Sequence, residues 1–578
     1  MNYNAIIEEF KQKIVEKINE GLIPGLSVAI ITKEEDILLQ GFGFTDISKK
    51  QAVDENTLFG LQSTTKTITS VAFLLAMEKG LVNIDDLIIK YYPEFSINSC
   101  YGNDEYKKIT FRHLLSHTSG LPREARIGGC FSPRLGNWKE HIESLKDSWM
   151  NSPVGTSFSY SNIGMDLVAF ILEKITGQPY YEFLQQELGN PLGITFHWFM
   201  DEIYSQPNAA KGYIGKNEAH KLDEMAYGCG GAFLSIKEQA TFVRFLLNKG
   251  KHDNKVILKE NYFELLRTID GTMGYGLGTE VSNRFGIRAQ NHAGGGFGLC
   301  SEMFWIPEQN LGVALFHNNE DQFGDMKTII EDFIRKYLEM MGIDSKPKEF
   351  PYSKEPIVRI RKEKLRRLEG LYQSYELSYQ IKVIEGKLYL LLGSQKRELK
   401  PHSETIFSSK PGEGLVFLLD TNGEPTGNLH YHLKLGILEN KYLGKLREEQ
   451  SKARENWKKY VGLYIYRYYY TEYFCTYITL DENGYLFMEF EKLYPTNIPN
   501  VFSTYLGITA IFDDNSFYHD NILYTKIEHP VEFYKELIQK DKKSRALVPW
   551  MIDRVIEFLE KLDRKIEAEE LKKITTNI

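Results

Sequence analysis

The chain has 578 residues, too many for one hydrophobic core, so roughly two to four domains are expected. Apolar residues make up 42%, charged residues 26%, and the formal net charge is −8. That balance argues against nucleic acid or an acidic membrane surface as the main partner, because both attract basic patches, and no apolar run is long and uncharged enough to span a bilayer.

The first stretch, MNYNAIIEEFKQKIVEKINEG, sets Ile6, Ile7, Phe10, Ile14 and Ile18 on one face of an amphipathic helix. It lacks the unbroken apolar core of a secretory signal, so a cytoplasmic location is expected. Residues 25–46, GLSVAIITKEEDILLQGFGFTD, read as a β-hairpin turning at Lys33 to Asp36. Then comes GLQSTTKTITSVAFLLAMEKG, residues 60–80, a helix with an apolar stripe (Ile68, Val71, Leu74, Leu75), a polar back and a stop at Gly80. Helical segments follow at 163–176 and 237–249. Strands return at 284–317, with a hairpin around Pro307 to Asn310, and a helix at 325–342 closes the region.

A stretch rich in Lys and Pro, 343–357, reads as a linker. Beyond it the texture changes to short strands with turn signals, and there is an internal repeat. LRRLEGLY (365–372) matches WKKYVGLY (457–464), and EGKLYL (385–390) matches NGYLFM (483–488). Two small antiparallel β-barrels, 358–449 and 450–528, are the simplest account. The run YIYRYYYTEYFCTY (464–477) has the aromatic and Arg content of a base-stacking platform. The acidic net charge favours ordinary strand packing instead. The tail, 529–578, contains a helix expected to pack back or meet a partner. Five cysteines without C-x-x-C spacing imply free thiols rather than a disulfide framework.

Ser63 and Lys66 stand three residues apart at the start of a helix, which places both side chains on one face. Alone this is ambiguous, since serine is also a common N-cap. Ser345 and Lys348 share the spacing, but in a proline-rich segment that forbids a helix. Two further motifs follow. Tyr160-Ser161-Asn162 sits between a Pro/Gly turn and an apolar helix, and His292-Ala293-Gly294 leads into a strand. His113 and His117 have the i, i+4 spacing of a zinc pair but no glutamate where H-E-x-x-H needs one.

These three motifs, in this order and each in its own setting, resemble those of the penicillin-recognising serine hydrolases. That group includes class C β-lactamases, D-Ala-D-Ala carboxypeptidases, D-aminopeptidases and esterases. FRHLLSHTSGLP (111–122), GGAFLSIKEQATFVRFLL (230–247) and YGLG (275–278) extend the likeness over residues 1–342. The resemblance implies an α/β (α+β) serine β-lactamase-like domain, 1–342, with an antiparallel sheet flanked by helices and an all-helical lobe. The two small antiparallel β-barrel domains and the helical tail would follow it.

It also implies roles. Ser63 is the nucleophile, which needs a base to take its proton. Lys66 can be that base in its neutral form, favoured by burial and nearby positive charge. Tyr160 is the second candidate, and the motifs leave the choice between the two open. Asn162 orients Lys66 and a substrate amide. The backbone N–H groups of Ser63 and Gly295, beside Gly294, form the oxyanion hole, and His292 is a catalytic-site residue. The β-lactamases carry Lys-Thr-Gly where this chain has His292-Ala293-Gly294, so capture of an antibiotic carboxylate is expected to be weak or absent. His113 and His117 are structural in the group, and neither metal nor cofactor is expected.

The expected function is hydrolysis, through an acyl-enzyme, of small amides or esters, with D-amino-acid-containing peptides as one candidate class. The alternatives are an acyltransferase or cyclising thioesterase of the same fold, or a penicillin-binding sensor that does not turn over. The partner is a small-molecule or short-peptide substrate, with no nucleic acid and no membrane. The oligomeric state is not legible in the sequence.

Overall fold

The computed structural model describes residues 3–132, 134–219, 226–268, 274–346, 348–375, 377–393, 395–433, 435–445, 455–468, 472–481, 484–489, 491–505, 507–540, 545–547 and 549–576. The chain forms two units. The first comprises Met1–Glu94, Ile109–Ser119 and Gly164–Lys445, the second Phe95–Lys108, Gly120–Ile163 and Leu446–Ile578. The segments 95–108 and 120–163 of the expected β-lactamase-like domain therefore group with the end of the chain.

The first unit is built on a seven-stranded antiparallel sheet. Its strands are β1 (Gly25–Ile31), β2 (Asp36–Asp46), β3 (Gln51–Ala52), β4 (Glu280–Ser282), β5 (Ala289–Gly296), β6 (Leu299–Ile306) and β7 (Leu311–His317). Their order in the sheet is β4-β5-β6-β7-β1-β2-β3. The central strands β1 and β7 are buried along their whole length, as expected where apolar runs are covered on both faces. The first hairpin turns over residues 32–35, where the Thr32 N–H donates to the Glu35 carbonyl at 2.9 Å. Asp36 already pairs with Ile31, after a bulge. The second turns at Asn310, whose φ of 52° is left-handed, a conformation Asn tolerates.

One sheet face is covered by α1 (Tyr3–Asn19) and α5 (Phe323–Met340), which share a core with it. Phe10 and Phe333 meet at 4.8 Å between ring centres. α4 (Ile236–Leu247) covers the other face, and it passes so close that a Cβ on Gly312 of β7 would lie 2.5 Å from Val243 Cγ1. Between β3 and Phe233 the described residues are helices and loops, apart from the short strands Leu58–Gly60, Tyr213–Ile214 and Asn217–Glu218. Here lie α2 (Thr65–Glu78) and α3 (Asn162–Thr176). This is the expected sheet flanked by helices.

The stretch read as a linker is tied down within the first unit. Ser345 is buried with its Oγ donating to the Arg335 carbonyl at 3.1 Å, and the Phe350 ring packs on Tyr431. Eight antiparallel strands, from Gly370–Gln373 to Gly436–Gly444, then form a closed barrel filled by its own apolar side chains.

In the second unit a nine-stranded antiparallel sheet begins with Gly462–Tyr468. Its two end strands, Glu491–Lys492 and Tyr494–Pro495, are consecutive in the chain, so the sheet is nearly closed. The repeat extends to single contacts. Tyr372 donates its hydroxyl proton to the Leu368 carbonyl at 3.0 Å, and Tyr464 does the same to Tyr460 at 2.8 Å. Gly386 and Gly484 share a φ near 80°, at 81° and 79°. The aromatic run packs internally: Tyr464 lies in the barrel core and Tyr477 beneath the C-terminal helices. Its Tyr469, Tyr470 and Thr471 lie outside the described residues. The tail forms three helices, Pro530–Lys540, Pro549–Lys561 and Lys565–Thr575, packed on this sheet. The five cysteines stand outside any disulfide. Among the described residues no helix is long and apolar enough to cross a membrane.

Candidate active site

The strand Leu58–Gly60 pairs with Phe233–Ser235 and delivers the chain to a tight turn. Gln62 there has φ +50°, a left-handed conformation that costs a non-glycine residue about 1–2 kcal/mol. Ser63 follows in a single 3₁₀ turn and α2 begins at Thr65. Between Thr57 and Ala76, Ser63 is the one residue that is not buried. The expected polar back of α2 is not solvent-facing: Thr65 to Ala76 are all buried. Two of its hydroxyls are tied to backbone of packed segments instead. Thr67 Oγ1 donates to the Gly278 carbonyl at 2.6 Å and Thr69 Oγ1 to that of Gly228 at 2.7 Å.

Lys66 is fully buried. Its Nζ donates to Ser63 Oγ at 3.1 Å and to the Cys229 carbonyl at 2.8 Å. That carbonyl is fixed in turn, because the N–H groups of Gly228 and Cys229 donate to Asp166 Oδ1 at 2.8 and 3.0 Å. Sequence reasoning missed Asp166 and Cys229. The available signal was an acidic residue inside the otherwise apolar helix IGMDLVAFIL, since a buried carboxylate needs dedicated donors.

The third motif lies on β5 in the same unit. A Cβ on Gly294 would sit 2.3 Å from the Leu61 carbonyl oxygen and 2.7 Å from the Ser63 nitrogen, so only glycine lets this strand approach the serine turn. Ser301, paired with Gly294 across the sheet, donates from Oγ to the same Leu61 carbonyl at 2.5 Å. Gly295 is exposed at the strand edge.

His292 is 1% exposed. Its Nδ1 donates to the Ala293 carbonyl at 2.8 Å, which leaves Nε2 to accept from the Tyr275 hydroxyl at 2.9 Å. Burial drives this imidazole down to about 4, against the attraction of Glu280. At neutral pH it is uncharged, and both nitrogens are engaged inside the protein. Burial would raise Glu280, but Lys327, His292 and Arg284, with the Tyr375 hydroxyl, outweigh it and hold the carboxyl below its usual range. Tyr375, from the first barrel, donates to Glu280, and its ring meets Tyr275 at 5.4 Å. Glu302, opposite Ala293 on β6, is pushed up to about 8 by burial, although Lys327 pulls the other way.

Tyr160 and Asn162 belong to the second unit. The segment Pro122 to Glu124 braces their motif from one side. Ser161 Oγ donates to the Pro122 carbonyl at 2.7 Å, the Asn162 N–H to that of Arg123 at 2.8 Å, and Asn162 Nδ2 to Glu124 Oε1 at 2.6 Å. The Arg123 guanidinium lies 5.3 Å from the Tyr160 ring centre. Among the described residues Asn162 Oδ1 is buried without a hydrogen-bond partner. The structure thus brings Ser63, Lys66 and Gly294 together in one unit and holds Tyr160 with Asn162 in the other.

The histidine pair serves packing. His113 completes a capping box with Thr110, and the buried His117 ring meets Tyr275 at 5.0 Å. Among the described residues no group of three or more His, Cys, Asp or Glu side chains could hold a metal ion.

The family profile described as Beta-lactamase matches residues 7–331, more than half of the chain. The protein named Protein flp of Staphylococcus aureus (strain NCTC 8325 / PS 47) is 25% identical over 321 residues, 54% of this chain and 62% of its own length. The chain thus spans about three fifths of that relative. Penicillin-binding protein 4* of Bacillus subtilis (strain 168) is 27% identical over 413 residues, 64% of this chain and 85% of its own. Among solved structures, the octameric penicillin-binding protein homologue from Pyrococcus abyssi superposes with a TM-score of 0.50 at 22% identity. It covers 75% of this chain and 100% of its own, a likeness of fold alone.

Proposed function

The chain belongs to the Beta-lactamase family of serine hydrolases, and on that premise we propose that it hydrolyses small amides or esters through an acyl-enzyme, D-amino-acid-containing peptides among them. The observation that carries this reading is the Lys66 Nζ contact with Ser63 Oγ, at 3.1 Å, in a stretch from Thr57 to Ala76 where only the serine is not buried. Ser63 Oγ attacks the substrate carbonyl while its proton passes to neutral Lys66. The N–H groups of Ser63 and Gly295 receive the oxyanion, a contribution of about 3–4 kcal/mol each in the transition state. The carbonyl then reforms, the amine or alcohol leaves with a proton, and water releases the acyl group by the reverse steps. Tyr160 is assigned the return of the proton to the leaving group on the strength of its motif. Asn162 is assigned the orientation of Lys66 and a substrate amide, likewise on the strength of its motif.

His292 supports the fold of the third motif rather than touching substrate, because both its nitrogens are engaged by protein. A neutral imidazole there, next to Ala293, supplies neither the cation nor the hydroxyl that would hold an antibiotic carboxylate, so β-lactamase activity is expected to be weak or absent.

A phosphonate or activated acyl probe should add one label, on the peptide carrying LQSTTK. Ser63→Ala should abolish label and hydrolysis together. Lys66→Ala should slow acylation by at least ~10²-fold. Full hydrolysis by a folded Ser63→Ala protein would overturn the reading. Substrates made from D- and L-amino acids as p-nitroanilides and esters would define the class, and partition of the acyl-enzyme between added amine and water separates hydrolase from transferase.

A further inference from the structure

The strands Ser516–His519 and Ile522–Ile527 of the last barrel are joined by a two-residue turn, Asp520-Asn521. Both residues have positive φ, 52° and 64°, as a type I′ hairpin turn requires. Asn-Gly would build the same turn, so the carboxylate and the amide are not needed for it. Both are directed at the segment that braces the tyrosine motif. The Arg123 N–H donates to Asp520 Oδ1 at 2.7 Å, and Asn151 Nδ2 donates to the same oxygen at 2.8 Å. Asn521 Nδ2 donates to the Glu124 carbonyl at 2.9 Å and to Ser148 Oγ at 2.7 Å. At the start of the strand Thr509–Phe512, the Thr509 N–H donates to Asn151 Oδ1 at 3.1 Å and its hydroxyl to the Met150 carbonyl at 2.9 Å. The Arg126 guanidinium lies 4.0 Å from the Tyr518 ring centre.

Residues 122–124 are therefore held from two sides. On one they receive the hydrogen bonds of Ser161 and Asn162, and Arg123 lies against the Tyr160 ring. On the other they are pinned by the barrel turn through backbone groups of Arg123 and Glu124. We propose that the Asp520-Asn521 turn is a positioning element of the active site, which sets the Tyr160-Ser161-Asn162 motif through residues 122–124. Asp520 and Asn521 act through the brace and do not touch substrate. The inference rests on the reading of Tyr160 as a proton carrier. It gives the last barrel a role in catalysis.

The test uses the full chain, with turnover counted per Ser63 labelled by the phosphonate probe. Asp520→Ala should lower kcat per labelled site by about 10- to 100-fold, the cost of a slightly misplaced catalytic group, with a smaller change in KM. Asp520→Asn should restore most of it, because an amide oxygen can still accept from Arg123 and Asn151. In a Tyr160→Phe background the Asp520→Ala loss should disappear, since both changes remove the same contribution. If Asp520→Ala does not fold, Asn521→Ser reads the same brace through its bond to Glu124 and should show the same pattern. Wild-type kcat per labelled site in Asp520→Ala, or in Asn521→Ser in its stead, would overturn the proposal. So would an undiminished loss in the Tyr160→Phe background, which would mark a merely structural contact. Failure of the underlying reading looks different: Ser63 would carry no label in the wild-type protein, or Tyr160→Phe alone would leave turnover unchanged.

Discussion

A Cβ at residue 294 has no room, since it would meet the Leu61 carbonyl and the Ser63 nitrogen. Gly294→Ala should push the strand from the serine turn and cut the rate of phosphonate labelling at least tenfold, roughly the effect of losing one well-placed donor. Near-native circular dichroism would show that the fold survives. Two buried residues in this region also make stability depend on pH. Glu302 holds its proton up to about 8 when folded, against an ordinary value of 4.5. Between those values the unfolded chain has released a proton that the folded chain keeps, so this group's contribution falls as pH rises through the window. His292 works in the opposite sense: it ionises near 4 when folded and near 6.5 when free, so its contribution is lost as pH falls from 6.5 to 4. Only Glu302 of the two acts between pH 6.5 and 8, with a slope of at most about 1.4 kcal/mol per pH unit. Melting curves over that range should therefore be flatter for Glu302→Gln than for the parent.

The elements carry their own expectations. α2 looks amphipathic by periodicity, yet it is buried from Thr65 to Ala76, with Thr67 and Thr69 bonded to backbone that packs against them and Ser70 to its own helix. Helical spacing reports which residues share a face and is silent on whether a second layer covers the polar one. In the repeated barrels, Tyr372 and Tyr464 each donate to a carbonyl four residues back. Tyr372→Phe and Tyr464→Phe should each lower the stability of their own barrel by about 1–2 kcal/mol, the cost of removing one buried hydrogen bond and leaving its partner unmet. Urea unfolding followed by tyrosine fluorescence measures this. Unequal losses would mean that the repeat is similar in sequence without being equivalent in energy.

For the whole molecule, the grouping of residues 95–108 and 120–163 with 446–578 is decisive. A chain ending at Lys445 would retain Ser63, Lys66 and the first barrel. It would lack Thr509, Asp520 and Asn521, the partners of Asn151, Arg123 and Glu124. The expected outcome is faster proteolysis within residues 120–163 and turnover below that of the full chain. Limited proteolysis with mass spectrometry reads the first effect and steady-state hydrolysis the second.

The hairpins, the order of strands and helices, the repeat and the three motifs were legible in the sequence, because each is a short-range pattern of residue types. Turn residues, period-two and helical spacing, and Ser-x-x-Lys on a helix all express forces acting within a few residues of one another. Two features were decided only by the tertiary structure. One is the support of Lys66 by Cys229 and Asp166, and the other is the bracing of Arg123 by Asp520, 397 residues away. A hydrogen bond between such distant groups leaves no local periodicity, and an isolated Asp or Asn looks the same in a free turn as in one that holds another segment. Only packing brings the partners within bonding distance, and so only the folded chain assigns those residues a role.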